Sequence, residues 1–247
     1  MMIPYQEYGN RDKPTILFLH GANALDTFCN QYVFSERYHL VVPHLPGAGK
    51  SADKLFDPET LKDELFELIR SLNKDKIGVV GHSLGGQLAV RLVCARPERF
   101  RFAVFLSAWV NPTPKKIRMY YKLAGLTVKM LHWEWLVRKQ AQYWNYTQEQ
   151  TDYMVEYLKR VTPQVYQSFV VNVLDLQTLP NYPDLRVPML AVCGSKEVKD
   201  MKTSLELLGR NPHCRTIMLP GAAHNYPMRN AKQLNEILET FFSEWMK

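Results

Sequence analysis

Ile77-Gly78-Val79-Val80-Gly81-His82-Ser83-Leu84-Gly85-Gly86 is the stretch on which the reading of this chain turns. It opens as a short apolar strand, Ile77 to Val80, and passes through Gly81-x-Ser83-x-Gly85 into a helix-forming run. A strand-to-helix turn this tight needs Gly at the flanking positions, because a Cβ there would strike neighbouring backbone. The serine between them is held in a strained conformation with its hydroxyl exposed. The helix beginning near Leu84 aims its first amide hydrogens at the place where a reacting carbonyl would lie. Ser83 is therefore a candidate nucleophile.

Outward from this turn, continuous apolar runs recur at Thr15 to Leu19, His39 to Val42, Phe102 to Leu106, Met189 to Val192 and Thr216 to Leu219. Runs without alternation read as strands covered on both faces, which implies a mostly parallel sheet. Helical spacing appears in Leu61, Leu65, Leu68, Ile69 and Leu72, and again in Leu234, Ile237, Leu238, Phe241, Phe242 and Trp245. Strand and helix in alternation predict a doubly wound α/β architecture with right-handed crossovers. The alternation stops after Trp109 and resumes at Arg186. The stretch between has helical spacing over Tyr121 to Val137 and Thr151 to Leu158, with Pro112, Pro114, Pro163, Pro180 and Pro183 as punctuation. We expect an α/β core from residues 1–110 and 184–247, with a helical cap inserted at 111–183.

The chain has 247 residues, 46% hydrophobic and 22% charged, the balance of an ordinary globular protein with a sizeable core. No apolar run is long enough to span a bilayer, and Met1 to Gly9 lacks a signal-peptide pattern, so a cytoplasmic location is the expectation. Cys29, Cys94, Cys193 and Cys214 have no metal-ligand spacing and read as reduced, mostly buried thiols. The formal charge of +7 comes with local clusters such as Lys115-Lys116-Arg118, but no nucleic-acid motif or interleaved aromatic platform accompanies it. Nucleic acid is not an expected partner.

A serine hydroxyl needs a base to take its proton as it attacks. Of the seven histidines, His224 is placed for this, in Gly221-Ala222-Ala223-His224 between the last strand and the last helix. Ligands in open α/β sheets bind at such carboxyl ends of strands. His20 and His82 are expected to shape the site, and the others to pack or face solvent. A carboxylate should orient the imidazole. Glu197 in Gly194-Ser195-Lys196-Glu197 is the choice, and Asp200, three residues further on and expected in the first turn of the next helix, competes with it. His20-Gly21-Ala22 follows another strand, so the amides of Ala22 and Leu84 are expected to form an oxyanion hole, with Asn23 as a further donor. Leu45-Pro46-Gly47-Ala48-Gly49-Lys50-Ser51 suggests a phosphate loop, but His44 stands where that motif requires Gly and Pro46 lacks an N–H.

In this order, His20-Gly21, Pro46 to Ser51, Gly81 to Gly86, Glu197 and His224, the motifs resemble the α/β-hydrolase superfamily over nearly the whole chain. The resemblance implies an α/β-hydrolase fold with a cap over the site and a triad Ser83, Glu197, His224 in the family's chain order. It implies no metal or organic cofactor. Two departures stand out: the family's acid is usually Asp, which keeps Asp200 in play, and His44 replaces the Asp that commonly opens the second motif. That motif becomes a structural turn, and the N-terminal hairpin of relatives is shortened to residues around Ile3 to Tyr8. The expected activity is hydrolysis of a small carboxylic ester through an acyl-enzyme. Cap aromatics including Trp133, Trp135, Tyr143, Trp144 and Tyr146 suggest an apolar or aromatic substrate, although packing accounts for such residues too. C–C bond hydrolysis and a weakly catalytic ligand receptor are the alternatives the superfamily leaves open.

Overall fold

The computed structural model describes residues 2–246; Met1 and Lys247, the outermost residues of the expected core, lie outside the described residues. The chain runs through β1 (Tyr5–Tyr8), β2 (Thr15–Leu19), a kinked 3-10 segment Leu25–Glu36, β3 (His39–Pro43), α1 (Pro58–Ser71), β4 (Ile77–His82), α2 (Leu84–Ala95) and β5 (Phe100–Leu106). Four helices follow: α3 (Pro114–Leu131), α4 (Glu134–Tyr143), α5 (Gln148–Leu158) and α6 (Pro163–Val171). The core then resumes with β6 (Met189–Gly194), α7 (Lys199–Leu208), β7 (Cys214–Leu219), α8 (Tyr226–Arg229) and α9 (Ala231–Trp245).

The strands form one sheet in the order β1-β3-β2-β4-β5-β6-β7, parallel except for β1, which runs antiparallel to β3. Every residue of β2, β3, β4 and β6 is buried, which is why their sequences are continuously apolar rather than alternating. The edge strands β1 and β7 are more exposed. The expected hairpin remnant is a single strand.

Parallel pairing brings equivalent strand ends level. Leu19 is in register with Gly81, His82 with Leu106, and Gly194 with Leu219, so the loops after β2, β4, β5, β6 and β7 open on one rim. Helix α2 packs across β2, β4 and β5. It can do so because a Cβ on Gly85 would fall 1.9 Å from the Leu19 carbonyl oxygen, and one on Gly81 2.1 Å from that of Gly85. Only Gly permits the contact.

Helices α1, α3 and α6 begin alike, with a capping side chain followed by Pro: Asp57-Pro58, Thr113-Pro114 and Thr162-Pro163. The cap oxygen takes an orphan amide of the first turn, and Pro fits the first helical position, where its missing N–H costs nothing. Pro114 and Pro163 thus start helices rather than merely interrupting them. The expected helix over Tyr121 to Val137 is instead two, α3 and α4, parted at His132 and Trp133. No Gly or Pro marks this break; the His132 ring bonds the Val161 carbonyl at 2.9 Å, and that distant contact holds the chain end of α3.

Candidate active site

Ser83 sits between β4 and α2 with φ 54° and ψ −113°, a left-handed backbone that a non-glycine residue adopts only when its surroundings enforce it. Here the Ser83 amide is tied to the Leu106 carbonyl at 2.8 Å and the flanking glycines admit α2 against the sheet. The first turn of α2 leaves the Leu84 amide without an acceptor among the described residues, and the Ala22 amide has none either. Ala22, Ser83 and Leu84 line one wall of a cavity of about 230 Å³. Its remaining walls are chiefly apolar, with Trp109 from the core, Tyr120 from α3, and Tyr166, Phe169 and Val170 from α6. A larger hollow of about 480 Å³ near Val110, Leu179 and Asn211 contains none of the expected site residues.

His224, in the loop after β7, places Nδ1 2.7 Å from Oε2 of Glu197, in the loop after β6. The carboxylate is buried while the imidazole is nearly half exposed. The other Glu197 oxygen accepts from the Ser107 hydroxyl at 2.6 Å and the Gly194 amide at 2.8 Å. Burial works to raise this carboxyl, but the hydrogen bond and charge of His224, with Ser107 and Gly194, outweigh it and hold the group down at about 2. It is an anion that accepts a hydrogen bond from His224 Nδ1 and so fixes the orientation of the ring.

Ser83 and His224 meet through His82. Its ring lies 4.8 Å from that of His224, centroid to centroid, and its Nε2 donates to the His224 carbonyl at 2.8 Å. The Ser83 hydroxyl itself makes no hydrogen bond to His224 among the described residues. Burial, then the neighbouring His224, pull His82 down to about 3, so it is neutral. His20 is likewise neutral, pulled down to about 4 by burial; it accepts from the Leu45 amide and donates to the Gly21 carbonyl. Both shape the loops around Ser83.

Asp200 lies in the first turn of α7 and borders the cavity, but it pairs with Lys116 of α3 rather than with His224. Asn23 is buried at φ 58° and lies outside the cavity lining, so the structure does not place it as an additional donor there. In the Pro46 to Ser51 turn, His44 Nδ1 accepts the Lys50 amide at 2.9 Å, so imidazole supplies a backbone acceptor. Only a three-residue 3-10 turn, Gly49–Ser51, follows, not a helix that could cradle phosphate.

Ser107 and Tyr226 went unread in the sequence. Ser107 follows β5 with φ 49°, and Tyr226, fully buried, bonds the Val192 carbonyl beside it. The position of Ser107 just past a strand's carboxyl end was the available signal. The four cysteines are free, with Cys29 partly buried and the rest buried. Among the described residues no cluster of His, Cys, Asp and Glu is arranged to hold a metal ion.

A mostly parallel sheet, a serine on a left-handed turn between its central strand and the following helix, and helices inserted before the sixth strand define an α/β hydrolase with a cap. The chain belongs to the alpha/beta hydrolase family, whose model matches residues 16–237. It is 35% identical over 94 residues to the magnesium-chelatase 30 kDa subunit of Rhodobacter capsulatus, a match spanning 36% of this chain and only a third, 33%, of that protein. Over 247 aligned positions it is 22% identical to a protein provisionally named carbamate hydrolase RutD from Caulobacter sp. (strain K31), covering 94% of this chain and 91% of the other. Among solved structures it resembles a thermophilic esterase from Thermogutta terrifontis with a TM-score of 0.77 at 16% identity, over 99% of this chain and 94% of that one.

Proposed function

We propose that the protein cleaves small carboxylic esters through an acyl-enzyme, with Ser83 as nucleophile, His224 as base and Glu197 as the acid. The observation that carries this reading is the pairing, on one rim of the sheet, of a serine on a left-handed turn with an imidazole held at 2.7 Å by a buried carboxylate. Ser83 Oγ bonds to the ester carbon as its proton passes to His224 Nε2. The carbonyl oxygen takes the charge and accepts from the Ala22 and Leu84 amides. The C–O bond then breaks, the alcohol leaves with the proton from His224, and water repeats the sequence on the acyl-enzyme. A serine–histidine contact of this kind closes when substrate is bound.

The contact of Glu197 with His224, against that of Asp200 with Lys116, favours Glu197 as the acid. Residues 111–183 act as the cap, and the aromatic walls that α3 and α6 contribute favour an apolar or aromatic acyl group. The esterase and carbamate names of similar proteins make carbamate esters a second substrate set to assay. A fluorophosphonate probe tests the reading: wild type is expected to label and to hydrolyse a chain-length series of p-nitrophenyl esters, and folded Ser83→Ala to do neither. Folded wild type that resists the probe would overturn it.

A further inference from the structure

Residues 114–143, spanning α3 and α4, carry seven Lys and Arg against the single acid Glu134, nearly all of the chain's formal charge of +7. The same stretch holds nine of the sixteen large apolar side chains that are exposed among the described residues. These are arranged rather than scattered. Met119, Leu123, Leu126 and Met130 recur at intervals of four, three and four, so they form one strip along α3, with Leu126 57% exposed. Arg118, Lys122 and Lys129 line the adjacent strip and find no carboxylate partner among the described residues. Where α3 passes into α4, Trp133 and Trp135 stack at 6.3 Å and are both about half exposed. An exposed apolar strip of this size bordered by cations calls for a partner.

We propose that this face docks on an anionic lipid surface, with the apolar strip and the tryptophan pair in the headgroup boundary and the cations against acidic headgroups. An aliphatic strip, a cationic border and interfacial tryptophans are what a helix lying in that boundary requires. A second copy would satisfy the apolar strip only by facing two strongly cationic surfaces at each other. A nucleic acid would meet the cations and leave four aliphatic side chains against phosphates. No helix among the described residues is long and apolar enough to cross a membrane, so the attachment is peripheral. Tyr120 of α3 lines the Ser83 cavity, and Lys116 of α3 pairs with Asp200 at its border, so the docked helix holds the cavity at the lipid boundary. Resting on the esterase reading above, this makes the substrate an acyl ester that partitions into membranes.

The test is sedimentation with vesicles of phosphatidylcholine alone or mixed with phosphatidylglycerol, using wild type, Leu126→Glu/Met130→Glu, Lys122→Glu/Lys129→Glu and the control Lys232→Glu on α9. Circular dichroism checks that each is folded. Wild type and the control are expected to bind the mixed vesicles about tenfold or more tightly than neutral ones, and each double variant to lose that preference. The proposal is overturned by absence of binding, or by binding that Leu126→Glu/Met130→Glu leaves intact. A wild-type dimer that this variant dissociates, without vesicle binding, would assign the face to a second copy. Duplex DNA bound more tightly than vesicles would assign it to nucleic acid. Ser83→Ala should bind vesicles like wild type. Binding by a wild type that resists the fluorophosphonate probe would remove the esterase reading and leave the docking in place, whereas binding and labelling without hydrolysis of any vesicle-embedded ester would overturn the membrane-partitioning substrate.

Discussion

Glu197 carries contacts from opposite sides: His224 on one oxygen, and the Ser107 hydroxyl and Gly194 amide on the other. Gln at this position keeps the size but replaces one acceptor by a donor, so either the imidazole or the loop loses its partner. Glu197→Gln is expected to lower kcat by about 10⁴-fold, the scale on which losing the acid of such a triad acts, while Asp200→Asn costs less than about tenfold. Steady-state kinetics on one ester decides between them, and the reverse ranking would make Asp200 the acid. A second buried carboxyl responds to pH in the opposite sense. Burial pushes Asp26 up to about 6, with the Gln150 amide at 3.3 Å the side-chain donor that reaches it. Because its folded pKa lies above its unfolded one, the stability it lends is complete below about 3.8 and lost as pH rises through about 6. Asp26→Asn keeps the acceptor for Gln150 and removes the charge, so urea unfolding should show the variant more stable by about 1–3 kcal/mol at pH 8 and equal to wild type near pH 4. Equal stability at both would mean the anion is solvated. Ser83, Glu197 and His224 stand out in the sequence because each follows an apolar strand, and the structure joins two of them, Glu197 and His224, by a hydrogen bond. Ser107 also follows an apolar strand, and His82 is expected from its turn to shape the site, but the contacts they make depend on a left-handed φ and on a neighbour's carbonyl, neither of which a residue name reveals.

Strands covered on both faces leave a sharper sequence trace than the helices of the cap. Thr15–Leu19 was readable to the residue because every position is buried, whereas β7, half exposed at the sheet edge, shows an apolar run only over its last part. The gap between α3 and α4 left no trace, because a contact from the distant Val161 carbonyl makes it. Helix α6 was overlooked although Thr162-Pro163 spells its start as plainly as Asp57-Pro58 spells that of α1. The start of α5 is closed by a reciprocal pair, Thr147 accepting from the Gln150 amide while the Gln150 side chain takes the Thr147 amide. Thr147 is exposed, so removing its hydroxyl opens no cavity. Thr147→Ala should lower unfolding free energy by about 1 kcal/mol and Thr147→Ser by much less, read from denaturant midpoints at constant slope. A similar loss in both variants would place the effect in the threonine methyl rather than the cap.

At the scale of the whole molecule, alternation of strands and helices announced the core, but nothing local in the sequence announced how the cap seats on it. The seating is set by polar atoms far apart in the chain. Tyr157 of α5 is fully buried, and its hydroxyl donates to the Asn23 carbonyl at 3.1 Å and accepts from the Leu25 amide at 3.3 Å. Those two backbone groups lie in the loop that carries Ala22 and at the start of the 3-10 segment that follows it, so one phenol ties the cap to the wall of the Ser83 cavity. Tyr157→Phe fills the same space but leaves both groups dry and unpaired, which costs about 1–3 kcal/mol. If the tie is what seats the cap, the loss should be local: amide exchange should quicken in α5 and in the loop around Asn23, and stay slow in β4 and β5, whose bonds are internal to the sheet. Hydrolysis should then fall through a raised KM, because the cavity wall moves while Ser83 and His224 keep their supports. Exchange that quickens uniformly would instead make Tyr157 a part of the common core, and the cap and sheet one cooperative unit.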